Sequence, residues 1–229
     1  MRNYSKSIVE ILPSEGIIII GEIHGTKEIP KIFTHIIEAL AKKINFTVCV
    51  EVPKENQPYF NIFLDRNEER YLRSAPFFKK DLETDGRNSK EFFLMLKGIG
   101  KTNKEWKKHI HIQCIDTNNW DSQDQREEEL AKNILQTNQN EIILVLVGSV
   151  HAAKKPFSIH GTRIEPMAYK LITSHKKKVF SLMILPEKGE YFNLGRKVIS
   201  GSGIIDTELY DSGFKIPIVH PCTFIKASL

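Results

Sequence analysis

The chain has 229 residues, of which 41% are hydrophobic and 27% charged, values that exclude a collagen-like, disordered or disulfide-framework protein. The formal charge is +5, but the lysines fall in short runs beside apolar segments without stacking aromatics, so nucleic acid is not an expected partner. No apolar run reaches the roughly 18 residues that span a bilayer, and the first residues do not resemble a secretory signal. We therefore expect a cytoplasmic protein that does not associate with membranes.

The three cysteines, Cys49, Cys114 and Cys222, are widely spaced and form no CxxC pair. This usage is typical of reduced thiols in a reducing compartment. We expect Cys49 and Cys114 to be buried in adjacent core strands, where a thiol behaves as a small apolar group.

Five apolar runs of strand length alternate with helical patterns along the chain. The runs are continuous rather than alternating, as in strands buried on both faces of a parallel sheet. They span residues 16–20, 46–50, 110–115, 141–148 and 178–185. Apolar residues at helical spacing mark residues 29–43, 89–99, 122–135 and 166–172. The pattern predicts one α/β domain over residues 1–229, with a mostly parallel sheet and helices on both faces.

Three further features follow from local patterns. The long polar segment 55–85 is predicted to form one or two helices over the sheet edge that roof the site. The tail, residues 220–227, is expected to form a last strand, with antiparallel pairing as one option. Pro30 suits the first turn of the first long helix, and Thr26 could cap that helix.

Ionisable side chains follow the ends of four consecutive predicted strands. They are Glu22, His24 and Glu28 after the first strand, Glu51 after the second, Asp116 after the third and His151 after the fourth. Each has an ordinary structural explanation, such as a turn for Asp116 or a surface salt bridge for Glu28. Ligands in open α/β sheets bind beyond the carboxyl ends of the strands. Ionisable residues at four such ends therefore favour a shared site.

Two histidines among carboxylates suit two kinds of chemistry. A histidine can take a proton from water while a carboxylate orients it and stabilises its charged form, and without a metal this should raise the pKa of one histidine. The same groups could instead hold a divalent metal. Covalent catalysis through Ser149 is less attractive because the second glycine of a nucleophile elbow is missing.

Two arginines lie near these residues in the sequence. Arg87 could bind a substrate carboxylate or phosphate, or it could pair with Glu51 or Asp116. Arg126 precedes a run of glutamates, which is typical of an ordinary intrahelical ion pair.

The Gly-Glu-Ile-His-Gly sequence at 21–25 resembles the opening motif of the superfamily that joins erythromycin esterases, ChaN-like haem-binding proteins and Tiki metalloproteases. Glu51 and the Gly-Ser-Val-His sequence at 148–151 follow in the family's order. Ser149 departs from the family, which has asparagine at this position. Residues 85–89 and 166–171 also resemble uncharacterised bacterial members.

The resemblance implies that His24, Glu51 and His151 are catalytic, with Glu22 and Glu28 in support. We add Asp116 as a supporting residue from its strand-end position, and Arg87 as the candidate for substrate binding. Members of the superfamily are described as metal-independent esterases, Mn- or Co-dependent peptidases and haem binders. We therefore expect a hydrolase that cleaves an ester or amide bond of a small-molecule or peptide substrate. It would use no cofactor or a divalent metal (Mn, Co or Zn) held by His24, Glu51 and His151. The alternative is a non-catalytic module that binds haem or another anion.

Overall fold

The structure is a computed structural model that describes residues 2–79, 85–138, 141–159, 161–199 and 206–225. In chain order the elements are α1 (Arg2–Ile11), β1 (Ile17–Glu22), α2 (Glu28–Ala41), β2 (Phe46–Pro53), a 3-10 helix (Lys54–Asn56), α3 (Gln57–Arg66), α4 (Glu69–Ser74), α5 (Pro76–Lys79), α6 (Lys90–Trp106), β3 (His111–Asp116), α7 (Gln123–Leu135), β4 (Ile142–Gly148), α8 (Ser149–Ala152), β5 (Phe157–Ile159), β6 (Thr162–Ile164), α9 (Met167–Thr173), β7 (Val179–Pro186), β8 (Gly189–Phe192), β9 (Arg196–Ile199) and β10 (Ser212–Ile216).

Six of the described strands form one parallel sheet in the order β10-β7-β1-β4-β2-β3. Every neighbouring pair in this sheet runs parallel, which confirms the predicted α/β fold. The five predicted strands correspond to β1, β2, β3, β4 and β7. Two small antiparallel hairpins, β5–β6 and β8–β9, lie outside the sheet.

Alternate side chains of the central strands pack on opposite faces of the sheet. In β1, Ile18 and Ile20 belong to the core that includes α2 and α6. Ile17 and Ile19 belong to a second core that includes α7 and α9. Helices therefore cover both faces, as predicted.

The connections that leave the neighbouring strands β1 and β4 run in opposite directions. From β1 the chain proceeds to β2 and β3 on one side, whereas from β4 it proceeds to β7 and β10 on the other side. The carboxyl ends of β1 and β4, with β2 next to β4, lie at this switch point. In doubly wound sheets such a switch point is where ligands bind, so the topology places a crevice where the predicted site residues end their strands.

The short helix α8 packs closely on β1 because β1 carries a glycine at the contact. A Cβ built at Gly21 would lie 2.9 Å from the Cβ of Ala152 and 3.2 Å from the Sδ of Met183. A larger residue at this position would push α8 outward. Gly21 thereby lets the helix that carries His151 lie against the end of β1.

The segment after β2 is helical, but its described part holds more helices than the one or two predicted. It forms the 3-10 helix and α3, α4 and α5, and α3 packs against β3 at the sheet edge. Residues 80–84 lie outside the described part of the chain, and the covering of the site by this segment stays a prediction.

The described part of the tail forms isolated bridges instead of a strand. Pro221 pairs with Thr26 and Phe224 with Ser89, both antiparallel, whereas the sheet edge is the parallel strand β10. Residues 226 and 227 of the predicted strand lie outside the described residues. The predicted cap by Thr26 is wrong, because Lys27 stands at the N-cap of α2 and no side chain caps the helix. Thr26 precedes the cap position, is buried and forms a bridge with Pro221.

The three cysteines are free and buried. Cys49 and Cys114 lie on the neighbouring strands β2 and β3, as expected. Burial raises the pKa of both thiols, so they stay neutral and contribute to packing. Among the described helices, none is long and apolar enough to cross a bilayer.

Candidate functional site

The carboxyl ends of four strands bring the predicted site residues to one edge of the sheet. Glu22 ends β1 and His24 follows it, Glu51 lies near the end of β2, and Asp116 ends β3. His151 lies on α8, directly after β4. The order of these strands makes the five residues neighbours in space.

Glu51 lies at the centre of the site, with a side chain that is 4% exposed. Its Oε2 lies 3.3 Å from Nε2 of His24, and its Oε1 lies 3.3 Å from Nε2 of His151. The backbone N–H of Gly148 donates to Oε2 at 2.8 Å. The structure therefore brings His24, Glu51 and His151 together, with both imidazoles facing one carboxylate.

Each histidine contacts a second carboxylate through its other nitrogen. Nδ1 of His24 lies 2.9 Å from Oε1 of Glu22, and Nδ1 of His151 lies 2.8 Å from both oxygens of Glu127 on α7. The backbone N–H of Met167 also donates to Glu127, at 2.8 Å. We call the resulting row of five side chains the carboxylate–imidazole chain; its members, in order, are Glu22, His24, Glu51, His151 and Glu127.

Two guanidinium groups flank Glu51. Nη1 of Arg87 and Nη2 of Arg126 each donate to its Oε1 at 2.8 Å. Asp116 accepts from the same two nitrogens, at 3.0 Å from Arg87 and 2.7 Å from Arg126, and Asp85 accepts from Nε of Arg87 at 2.8 Å. Of the two roles considered for Arg87, the structure shows the ion pairs with Glu51 and Asp116. Substrate binding by Arg87 stays a prediction.

The pKa values of both histidines are raised although burial opposes their charged form. Glu51 and Glu22 outweigh burial at His24 and raise its pKa to about 10. Glu51 and Glu127 do the same at His151 and raise its pKa to about 9. Both imidazoles are therefore protonated near neutral pH.

The carboxylates differ in how readily they take up a proton. Burial opposes the charge of Glu51, but Arg87 and the two histidines hold its pKa well below the ordinary value. Burial raises the pKa of Glu22, against the opposing effect of His24. Glu51 is thus a fixed anion, faced near neutral pH by two protonated imidazoles.

A cavity of about 440 Å³ opens onto the carboxylate–imidazole chain. Its wall includes Tyr191 and Asn193 from the β8–β9 hairpin as well as Arg87. His24 is 17% exposed and His151 6%, so His24 is the more accessible imidazole. The volume suits a small ligand or the end of a peptide. A larger cavity of about 640 Å³ lies beside α3 and α6 and contains no member of the chain of five side chains.

Glu28 lies apart from the other predicted site residues. Its carboxylate accepts from the backbone N–H and from Nδ1 of His220, both at 2.9 Å. Glu28 begins α2, which leads its side chain away from the strand ends and toward the C-terminal tail. The structure therefore does not place Glu28 beside His24 and Glu51.

The expectation of an ordinary intrahelical pair for Arg126 is wrong. Helix α7 packs beside β3, so Arg126 reaches Asp116 and Glu51, with the ring of Trp120 5.7 Å from its guanidinium. Sequence reasoning also missed Glu127, which is fully buried. Its burial could have been predicted from helical spacing, because Glu127 precedes the apolar residues of the buried face of α7 by three, four and seven positions. Those residues are Leu130, Ala131 and Ile134.

The donor set does not fit a divalent metal. Among the described residues, no group of three or more His, Cys, Asp or Glu side chains is arranged to hold one. The physical reason lies at Glu51, whose oxygens already accept from the Gly148 N–H and from two guanidinium groups. The positive charges of Arg87 and Arg126 oppose a dication at this carboxylate.

No protein-family model and no curated protein matches the chain in sequence. Solved structures match its fold. A mutant of the erythromycin esterase EreC in its open conformation has a TM-score of 0.65 at 10% identity, covering 90% of this chain and 81% of that one. A succinoglycan biosynthesis protein has a TM-score of 0.61 at 9% identity, covering 96% and 90%. ChaN of Campylobacter jejuni, described with cofacial haem binding, has a TM-score of 0.58 at 14% identity, covering 95% and 91%.

At these identities the likeness establishes a shared fold. The chain has the α/β fold of the erythromycin esterase and ChaN structures, in agreement with the motif at 21–25. One of these neighbours is an esterase and another binds haem. The fold is therefore compatible with either activity and does not choose between them.

Proposed function

We propose that the chain is a hydrolase in which His24 and His151 share acid–base catalysis across Glu51. The substrate would be an ester or amide of a small molecule or peptide. The observation that carries this proposal is the convergence of two Nε2 atoms on one carboxylate, each at 3.3 Å, beside an open cavity. Positioned imidazoles with tuned pKa values are what general acid–base catalysis uses.

One imidazole would act as the base and the other as the acid. The neutral imidazole takes a proton from water while the water oxygen bonds to the substrate carbonyl carbon. The protonated imidazole gives its Nε2 proton to the leaving oxygen or nitrogen as the bond from that atom to the carbonyl carbon breaks. The Nε2 contacts to Glu51 are longer than the Nδ1 contacts of 2.9 and 2.8 Å. Nε2 is therefore the nitrogen of each ring that more readily exchanges its partner for water or substrate.

The remaining members of the site would support this proton transfer. Glu22 and Glu127 orient the two rings by binding Nδ1, which leaves Nε2 facing the cavity side of Glu51. Arg87 and Arg126 keep Glu51 ionised, and its charge stabilises the imidazolium that forms when the base takes up a proton.

Hydrolysis of p-nitrophenyl acetate and of short peptide p-nitroanilides tests the proposal. We expect His24→Asn, His151→Asn and Glu51→Gln each to lower kcat/KM about 10²–10⁴-fold while circular dichroism shows retained folding. His35→Asn is the matched control, since His35 pairs with Glu38 on α2 outside the cavity lining. No hydrolysis by the wild type, or equal rates in all variants, would reject the proposal.

Haem binding is the second candidate, because ChaN shares the fold. In this chain both nitrogens of each cavity histidine face carboxylates, so the protonated rings offer no lone pair to iron. The hydrolase proposal expects no Soret shift that depends on His24 or His151 when haem is titrated. A shift that His24→Asn abolishes, in a protein without ester hydrolysis, would favour the binding function.

A further inference from the structure

The C-terminal residues 219–224, which we call the clasp, contact the loop that follows His24. The backbone N–H of Cys222 donates to the carbonyl of Gly25 at 2.8 Å, and the N–H of Lys27 donates to the carbonyl of His220 at 2.9 Å. Two further bonds join His220 to the carboxylate of Glu28. The clasp is therefore tied to the residues directly after His24.

The clasp also contacts the segment that follows Arg87. The N–H of Lys90 donates to the carbonyl of Thr223 at 2.7 Å. The Thr223 N–H and hydroxyl donate to the two oxygens of Glu91 at 2.9 and 2.8 Å. Phe224 adds a bridge to Ser89. The clasp thus contacts both the loop that follows His24 and the segment that follows Arg87, and both of these residues contact Glu51.

A third contact joins the clasp to the cavity wall. The rings of Phe224 and Phe192 pack edge to face with centroids 4.8 Å apart, and the N–H of Phe192 donates to the carbonyl of Gly25 at 3.0 Å. Tyr191 and Asn193, on either side of Phe192, line the cavity. The clasp therefore also contacts the hairpin that lines the cavity.

The loops of His24 and Arg87 touch each other under the clasp. A Cβ built at Gly86 would lie 2.3 Å from the Cα of Gly25 and 3.0 Å from the Sγ of Cys222. Both glycines have positive φ, 75° at Gly25 and 83° at Gly86, which allows this close backbone contact. The residues next to these glycines are His24 and Arg87, so the contact sets the distance between them.

We propose that the clasp positions His24 and Arg87 on Glu51, with Thr223 and Glu91 as positioning residues of the site. The proposal rests on the proposed hydrolase function, since its kinetic consequence is a change in the acid–base geometry. Misplacement of a reacting group by about 1 Å can lower a rate about 10²-fold. The kinetic effect of loosening the clasp should therefore appear in kcat more than in KM.

Thr223→Val and Glu91→Leu loosen the clasp by removing one or both side-chain bonds between these residues. In these variants we expect kcat for p-nitrophenyl acetate to fall about tenfold or more, with a smaller change in KM. The conservative variants Thr223→Ser and Glu91→Gln keep a hydrogen-bonding group at each position and should have a kcat close to that of the wild type. Thr137→Val is the matched control, because it removes a hydroxyl-to-carbonyl bond of 2.7 Å to Ile134 at the end of α7. Unchanged kcat in both loosened variants, with lowered melting temperatures, would overturn the proposal.

A readout independent of turnover is the proton NMR signal of the His24 Nδ1–H at fixed pH, identified by its loss in His24→Asn. We expect Thr223→Val and Glu91→Leu to shift or broaden this signal, and Thr137→Val to leave it unchanged. A shifted signal in a protein that hydrolyses no ester would support the clasp while rejecting the hydrolase function. An unchanged signal in both loosened variants would reject the clasp itself.

Discussion

The backbone of Gly148 lies directly against the imidazole of His24. A Cβ built at Gly148 would be 2.8 Å from Nε2 of His24. The glycine has φ −58° and ψ 150°, angles that any residue adopts, so the contact with the ring, and not the backbone conformation, requires glycine here. The same residue donates its N–H to Glu51. Gly148 thus leaves room for His24 and holds the carboxylate that His24 faces.

Gly148→Ala should displace His24 from Glu51 without preventing folding, because the backbone angles are allowed for alanine. We expect kcat/KM for ester hydrolysis to fall about 10²-fold, measured beside a thermal melt. Gly98→Ala is the matched control: its Cβ would meet a methyl of Thr34 at 2.9 Å, a similar crowding between α6 and α2. Full activity in Gly148→Ala would show that the position of His24 is not critical for hydrolysis.

The pKa values of His24 and His151 predict how hydrolysis depends on pH. The pKa values of about 10 for His24 and about 9 for His151 make both side chains positively charged imidazolium ions at pH 7. The neutral imidazole that would act as the base is therefore a small fraction at that pH. Raising the pH removes one proton from the pair and produces the form with one base and one acid; removing the second proton eliminates the acid. Because the two sites are coupled, the profile reports the pair. We expect kcat/KM to rise about tenfold per unit above pH 7, peak between about 9 and 10, and then fall.

This profile is measured with p-nitrophenyl acetate after subtraction of spontaneous hydrolysis at each pH. Retained circular dichroism over the same range shows that the alkaline limb is not unfolding. A maximum below pH 7 would contradict the raised pKa values or the roles of the two histidines.

Arg126→Gln should destabilise the protein, because two buried carboxylates would then share one guanidinium. Breaking a buried ion network by removing one partner costs roughly 3–5 kcal/mol, so urea unfolding should show a lowered free energy of unfolding. The pKa of Glu51 should rise as well, which would weaken its hold on both imidazoles and lower hydrolysis. Arg163→Gln is the control: its exposed pair with Glu165, at 3.4 Å, should contribute less than about 1 kcal/mol. Equal stability of the two variants would contradict the assigned role of Arg126.

The central sheet could be predicted because its inner strands are buried along their whole length. Every residue of β1 and β4 is buried, and such strands produce continuous apolar runs. The edge strand β10 was missed, since it begins with serine and glycine and Ile216 is its buried member. In the β8–β9 hairpin, β8 is partly buried and β9 is mostly exposed, so its sequence carries little of the apolar pattern on which strand prediction depends.

The residues that end a strand or directly follow one, including His151 at the start of α8, could be predicted, whereas those on α7 and on the β8–β9 hairpin could not. Parallel strands place their carboxyl ends side by side, which is sufficient to bring His24 and Glu51 together. Arg126 contacts Glu51 across 75 residues of sequence, and this contact depends on how α7 is placed beside β3. Tyr191 reaches the cavity because its hairpin folds back onto Gly25, a contact that no local pattern specifies.

Glu127→Gln tests the far end of the carboxylate–imidazole chain. The amide keeps the volume of Glu127 but removes the negative charge 2.8 Å from Nδ1 of His151, and loss of an adjacent anion lowers the pKa of an imidazolium. The acidic limb of the pH profile should therefore move to lower pH. The amide can also turn an N–H toward Nδ1 and disturb the ring orientation, so kcat/KM should fall about 10²–10⁴-fold. Glu128→Gln is the matched control on the next residue, where the partly buried carboxylate faces His175 at 3.3 Å away from the cavity lining, and it should leave rate and profile unchanged. Wild-type activity and an unshifted profile in Glu127→Gln would mean that His151 needs no orienting carboxylate, and the functional unit would then end at His151.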